Sequence, residues 1–111
     1  MNYLRLAMTT PDKNSLVLFD RYATAKAEFA GYFAEARRQN SIVTRCTDLE
    51  FLFPQGGRLL FGVISTPADI NRYVGCEWIN VRADHVASHQ LAILAVAKLF
   101  KPMYNDSQDG V

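Results

Sequence analysis

The segment that most constrains the fold is Leu91 to Phe100, ten residues in which Lys98 is the one charge. Crossing a bilayer takes about 20 apolar residues, so this stretch belongs to a folded domain and no membrane contact is expected. Asp84 is a good N-cap and Lys101-Pro102 a stop, which predicts a helix over 84–100. Between Leu91 and Ala97 such a helix has no polar face, so it must be covered on most of its sides. A chain of 111 residues builds one core and has no second domain to do the covering. Either a sheet lies on one side and a second subunit on the other, or the helix crosses the middle of the fold. The first option predicts a homodimer with Leu91, Leu94, Ala95 and Lys98 at its contact.

The rest of the chain supplies the sheet. Leu16 to Phe19 reads as a buried strand, with Asn14 and Ser15 as turn formers before it. From Arg21 to Gln39, Tyr22, Ala25, Phe29, Phe33 and Ala36 recur at helical spacing, and Asn40 suits a C-cap. Ser41–Arg45 reads as a strand. Leu49–Phe53 and Arg58–Ser65 read as a hairpin around Pro54-Gln55-Gly56-Gly57. A short helical turn follows from Thr66 to Tyr73, and a strand from Glu77 to Ala83. Tyr104 to Val111 is polar and reads as a flexible tail behind a single globular domain, 1–103. Strands and helices alternate around the hairpin. The expected class is α/β (or α+β), a single mixed sheet of about five strands with two long helices packed on it.

Composition narrows function by exclusion. Hydrophobic residues make up 50% and charged ones 21%, which excludes a disordered chain. Twelve basic residues against eleven acidic ones leave a net charge of +1, so no generic nucleic-acid coat or anionic-membrane binder is expected. The N-terminal stretch Met1–Thr10 has no apolar run of signal-peptide length, which predicts a cytoplasmic protein. Cys46 and Cys76 have no partner at zinc-finger spacing and read as small buried groups. No phosphate loop and no nucleophile elbow are present. The paired glycines Gly56-Gly57 open a strand, whereas a phosphate cradle opens a helix. No cofactor is therefore expected.

Three groups of side chains carry possible chemistry. His85 and His89 stand four apart with Asp84 beside them, a spacing that places two imidazoles on one helix face. Val86 stands where a metalloprotease places its glutamate, so the expectation is no metal, with Asp84, His85 and His89 as the candidates if one binds. Glu77, Asp84 and Asp69 are carboxylates that the strand order can gather at one sheet end, though nothing in their spacing makes them converge. Among the basic residues Lys26, Arg37, Arg38, Arg45, Arg58 and Arg72, the adjacent Arg37 and Arg38 lie near Tyr32. Aromatic and arginine side chains are enriched at binding hot spots, which makes Tyr32, Arg37 and Arg38 the expected partner contact, extended by Phe51, Phe53 and Arg58 of the hairpin.

From Leu16 to about Phe100 the order of features resembles the middle of a phage terminase large subunit or a related helicase-type ATPase core. Arg21-Tyr22-Ala23-Thr24-Ala25-Lys26 begins the helix that follows the first strand. Gly56-Gly57-Arg58-Leu59-Leu60-Phe61 stands near the place of that family's N-G-S-x-I-x-F fragment. Arg72-Tyr73-Val74-Gly75 takes the place of a short R-G segment, and Trp78 to Ala83 runs into Asp84-His85 where the family ends a strand in Asp-Glu. The phosphate loop is missing, the catalytic glutamate falls on His85, and Arg82 interrupts the apolar strand. The resemblance implies a phage or prophage protein that keeps an ATPase-like half-sheet without its chemistry. An open edge and face of that kind are covered by a second copy or a partner.

The favoured function is a non-enzymatic small binding protein, an accessory or anti-defence type inhibitor that acts on a host or phage protein or nucleoprotein complex. The alternatives are a nucleic-acid-binding module using Lys26, Arg37, Arg38 and Arg45, and a small metal-dependent nuclease using Asp84, His85 and His89.

Overall fold

A computed structural model describes residues 2–38, 45–47 and 49–101, with the backbone alone for 45–47. It is a mixed α/β fold, as the alternation of strands and helices predicts. The elements run α1 (Tyr3–Met8), β1 (Asn14–Phe19), α2 (Tyr22–Arg38), β2 (Arg45–Thr47), β3 (Glu50–Leu52), β4 (Arg58–Val63), a 3-10 helix (Pro67–Tyr73), β5 (Asn80–His85) and α3 (His89–Leu99). The sheet order is β2-β3-β4-β1-β5. β1 pairs in parallel with both β4 and β5, and β3 is antiparallel to β2 and to β4.

β1 is the middle of the parallel part, and every residue from Ser15 to Phe19 is buried. A continuous apolar run suits that position because both faces of a parallel sheet are covered. Val17 and Phe19 join Leu59, Phe61 and Phe51 beneath α1 and α2. Leu16 and Leu18 face the opposite way, toward Ile64, Ile70 and Trp78 and toward Leu91, Ala95 and Leu99 of α3. The result is three layers with one core on each side of the sheet. The hairpin 49–65 lies inside the sheet, with Phe51 opposite Leu59. Leu49 adopts a left-handed φ of 61° before β3. That strain is offset by its buried side chain and by its carbonyl, which accepts the Phe61 N–H at 2.8 Å.

Four expectations shift. The helix predicted over 84–100 begins at His89, where the Ser88 hydroxyl caps it by accepting the Leu91 N–H at 3.2 Å. Asp84 and His85 belong to β5 instead, because His85 pairs opposite Phe19 and its ring stacks on the Phe19 ring at 4.7 Å. The strand predicted over 77–83 accordingly moves to 80–85, leaving Trp78 in a lone parallel bridge to Phe100. An N-terminal helix, α1, was not expected. Asn2 caps it by accepting the Arg5 N–H at 3.0 Å, and Tyr3, Leu4 and Ala7 are its buried side. The predicted strand over 41–45 lies outside the described residues up to position 44, as do the C-cap at Asn40 and the tail 104–111.

Candidate functional site

Strand β5 has one described neighbour, β1, so its other edge carries unpaired backbone groups among the described residues. Helix α3 overhangs that edge. Between them runs a groove of about 500 Å³ lined by Val81, Arg82, Ala83 and Asp84 from the strand and by His89, Ala92, Ile93, Val96 and Ala97 from the helix. The groove exists because α3 spends one stripe, Leu91, Ala95 and Leu99, on the core and has apolar residues left over. Ile93 is 56% exposed, Leu94 41% and Phe100 40%.

A polar cluster sits at the same strand on the α1 side. The pairing of β5 with β1 gains one residue between Val17 and Phe19, a bulge on β5. Arg82, Asp84 and His85 thereby come near one another and near Tyr3. The Tyr3 hydroxyl donates to Asp84 Oδ2 at 3.0 Å, and Arg82 Nη2 lies 3.4 Å from the same oxygen. The Tyr3 ring meets the His85 ring edge-on at 5.9 Å. The carboxylate is thus already held by a phenol and a guanidinium. Burial, reinforced by the hydrogen bond to Asp84, pushes the Tyr3 phenol well above its ordinary value. The fold favours the neutral phenol, whereas the unfolded chain ionises it near pH 10. Its contribution is complete below about pH 10 and is lost as pH rises beyond that through the folded value. Urea midpoints should therefore fall above pH 10 in the wild type, and fall less steeply in Tyr3→Phe; parallel pH profiles would contradict the assignment.

The remaining carboxylates do not join Asp84. Asp69 closes the 3-10 helix by accepting the Ser65 and Thr66 N–H groups at 2.7 and 3.0 Å, which hold its carboxyl below the usual range. Asp20, directly after β1, accepts the Ala87 N–H at 2.8 Å. That contact ties together the ends of β1 and β5, whose following helices pack on opposite faces of the sheet. Such a switch point is where open α/β sheets take anionic ligands, and here a carboxylate occupies it. His85 and His89 lie on separate elements, which corrects their placement on one helix face. No group of three or more His, Cys, Asp or Glu converges among the described residues.

The expected partner contacts separate. Arg37 and Arg38 are exposed at the end of α2, Arg37 lying 5.7 Å over the Phe33 ring. Tyr32 is half-buried, and its hydroxyl accepts the Tyr3 N–H at 3.2 Å. Phe51 and Phe53 are buried, Phe51 stacking on Phe29 at 4.6 Å, so neither offers a contact surface. Arg58 is held by Glu50 at 2.7 Å and lies 5.0 Å over the Trp78 ring. Of the expected dimer residues, Leu91 and Ala95 are in the core, while Leu94 and Lys98 face solvent. Ile93, Val96 and Ala97 belong to the apolar run that the sequence shows, but that run alone does not separate them from the buried stripe Leu91, Ala95 and Leu99. Comparison with protein-family models, curated proteins and solved structures finds no match.

Proposed function

We propose that this chain is a non-enzymatic binding domain, encoded by a phage or prophage and working in the host cytoplasm as an accessory or inhibitory protein. It pairs with a second copy of itself, and in that form engages a protein or nucleoprotein partner. The observation that carries this reading is the solvent face of α3, where Leu94 and Ile93 stay exposed although the helix has already filled its place in the core. Full burial of a side chain of that size is worth roughly 1.5–3 kcal/mol, which favours a covered over a bare face. The origin rests on the resemblance of the strand and helix order to the terminase core.

Light scattering at tens of micromolar protein should give twice the monomer mass. Leu94→Glu should return the chain to monomer with an unchanged circular dichroism spectrum, since exposed substitutions cost no more than about 0.5 kcal/mol. A monomeric wild type would defeat the reading. The exposed pair Arg37 and Arg38 favours a second reading, contact with nucleic-acid phosphates. In that case Arg37→Ala with Arg38→Ala should weaken binding to duplex DNA and flatten its salt dependence.

A further inference from the structure

Strand β5 has an edge whose charges suit a second copy of itself. Among the described residues its outer side is unpaired from Asn80 to His85. Phe100 and Lys101 engage Trp78, which precedes the strand, so neither of them covers the strand itself. Arg82 and Asp84 stand two apart on the α1 face of β5, with Arg82 Nη2 3.4 Å from Asp84 Oδ2. Their side chains are 40% and 46% exposed, so both can reach a neighbouring strand. Charges and a bulge on an edge ordinarily deter foreign strands. Here the two charges are opposite in sign, and one self-pairing turns them into a match.

When two identical strands pair antiparallel, one residue sits at the two-fold axis, and positions equally far on either side of it face each other. An axis at Arg82 sets Arg82 against its own copy, and an axis at Asp84 does the same to Asp84. Like charges directly opposite are destabilising. An axis at Ala83 sets Arg82 against the partner's Asp84 twice over and leaves only a methyl group at the centre. Such an axis runs perpendicular to the joined sheet, so both α3 helices come to lie on one face of it. Ile93 lines the groove over this edge and is 56% exposed, and it then faces the partner. The strand edge and the bare side of α3 thus form one continuous surface.

We propose that two copies of the chain join β5 to β5 antiparallel about a two-fold axis at Ala83, held in register by Arg82 of each copy against the partner's Asp84. One sheet then runs through both copies, and the edge is covered by an identical edge. This inference rests on the homodimer read from α3 and specifies how that dimer is built. Arg82 and Asp84 select the register, because a shift of the axis to either of them replaces attraction by repulsion.

The test follows amide exchange and self-association together on the full chain. In the dimer, the β5 amides that face away from β1 should exchange roughly 10-fold more slowly than in the monomer obtained by dilution or by Leu94→Glu. A dimer whose β5 amides exchange as in the monomer would overturn the edge pairing and leave the α3 dimer standing, whereas a monomeric wild type would remove both. Arg82→Glu opposes two acidic side chains across the axis and should weaken dimerisation about tenfold, and Asp84→Lys should do the same with two basic ones. Mixed in equal amounts, the two variants should form a heterodimer of near wild-type strength, because every facing pair is then of opposite charge. Circular dichroism checks that each variant is folded. Arg82→Glu disturbs no buried partner, so it carries the test alone if Asp84→Lys, which gives up the Tyr3 hydrogen bond, loses its fold. A folded Arg82→Glu variant that dimerises as tightly as wild type, or a mixture of folded variants as weak as either alone, would overturn the register.

Discussion

Replacing Trp78 by alanine is expected to destabilise the protein by about 3–5 kcal/mol, the range for removing a large aromatic from a packed core. For a domain of this size that lowers the melting temperature by roughly 15 °C. Trp78 is 1% exposed and packs in the core beneath α3 with Leu16, Leu18, Ile70 and Leu99. Its indole N–H donates to the Tyr73 carbonyl at 2.7 Å, which secures the end of the 3-10 helix. Arg58 covers the ring at 5.0 Å while holding Glu50, so the hairpin leans on the same side chain. Its backbone bridges to Phe100 and positions the chain leaving α3. Trp78→Phe separates these roles. It keeps much of the apolar volume but leaves the Tyr73 carbonyl unpaired, at a cost of about 1–3 kcal/mol. Thermal unfolding by circular dichroism measures both, and an alanine variant within 3 °C of wild type would show that the ring is not a keystone of this core.

The second large effect is expected at Gly57. A methyl group there would run into the main chain of Lys13 and the carbonyl of Pro11. Those are the atoms that hold the hairpin turn in place. The Gly57 N–H donates to Pro11 at 2.9 Å, and the Arg58 N–H donates to Lys13 at 3.1 Å. Backbone cannot rotate aside as a flexible side chain can, so Gly57→Ala must part the turn from the 11–13 segment. A cost at or above the top of the roughly 1–3 kcal/mol range for overpacking is expected. Gly31 gives the contrast, because an added methyl on α2 meets nothing within 4 Å. Gly31→Ala should stabilise by about 0.5–1 kcal/mol through lower backbone entropy in the unfolded chain. Urea midpoints that rank the two variants in the opposite order would refute the close approach.

Local pattern decided much of the architecture. The run Leu16–Phe19 is apolar at every position, and only a strand covered on both faces accommodates that. The stripe Tyr22, Ala25, Phe29, Phe33, Ala36 could form one face of a helix and nothing else of that length. Pro54-Gln55-Gly56-Gly57 marked the hairpin because turn chemistry is local. The mixed α/β class follows from these together. The sequence also held the surplus of apolar residues on the last helix, since counting Leu91 to Ala97 needs no neighbour.

What tertiary structure alone decided is where non-local pairing competes with an equally good local signal. Asp84 and Ser88 are both good N-caps, and the choice went to Ser88 because β1 takes Asp84 and His85 into the sheet. The bulge that brings Arg82, Asp84 and His85 near Tyr3 depends on β1 and α1, which are more than 60 residues away in sequence. Phe51 and Phe53 alternate in the same way whether their face meets α2 or solvent, so only the packing of Phe29 against Phe51 settles their burial. Between Leu91 and Ala97 every side of α3 is apolar, and periodicity cannot mark the inner one. The sheet chose Leu91, Ala95 and Leu99, and by that choice left Ile93 and Leu94 facing outward.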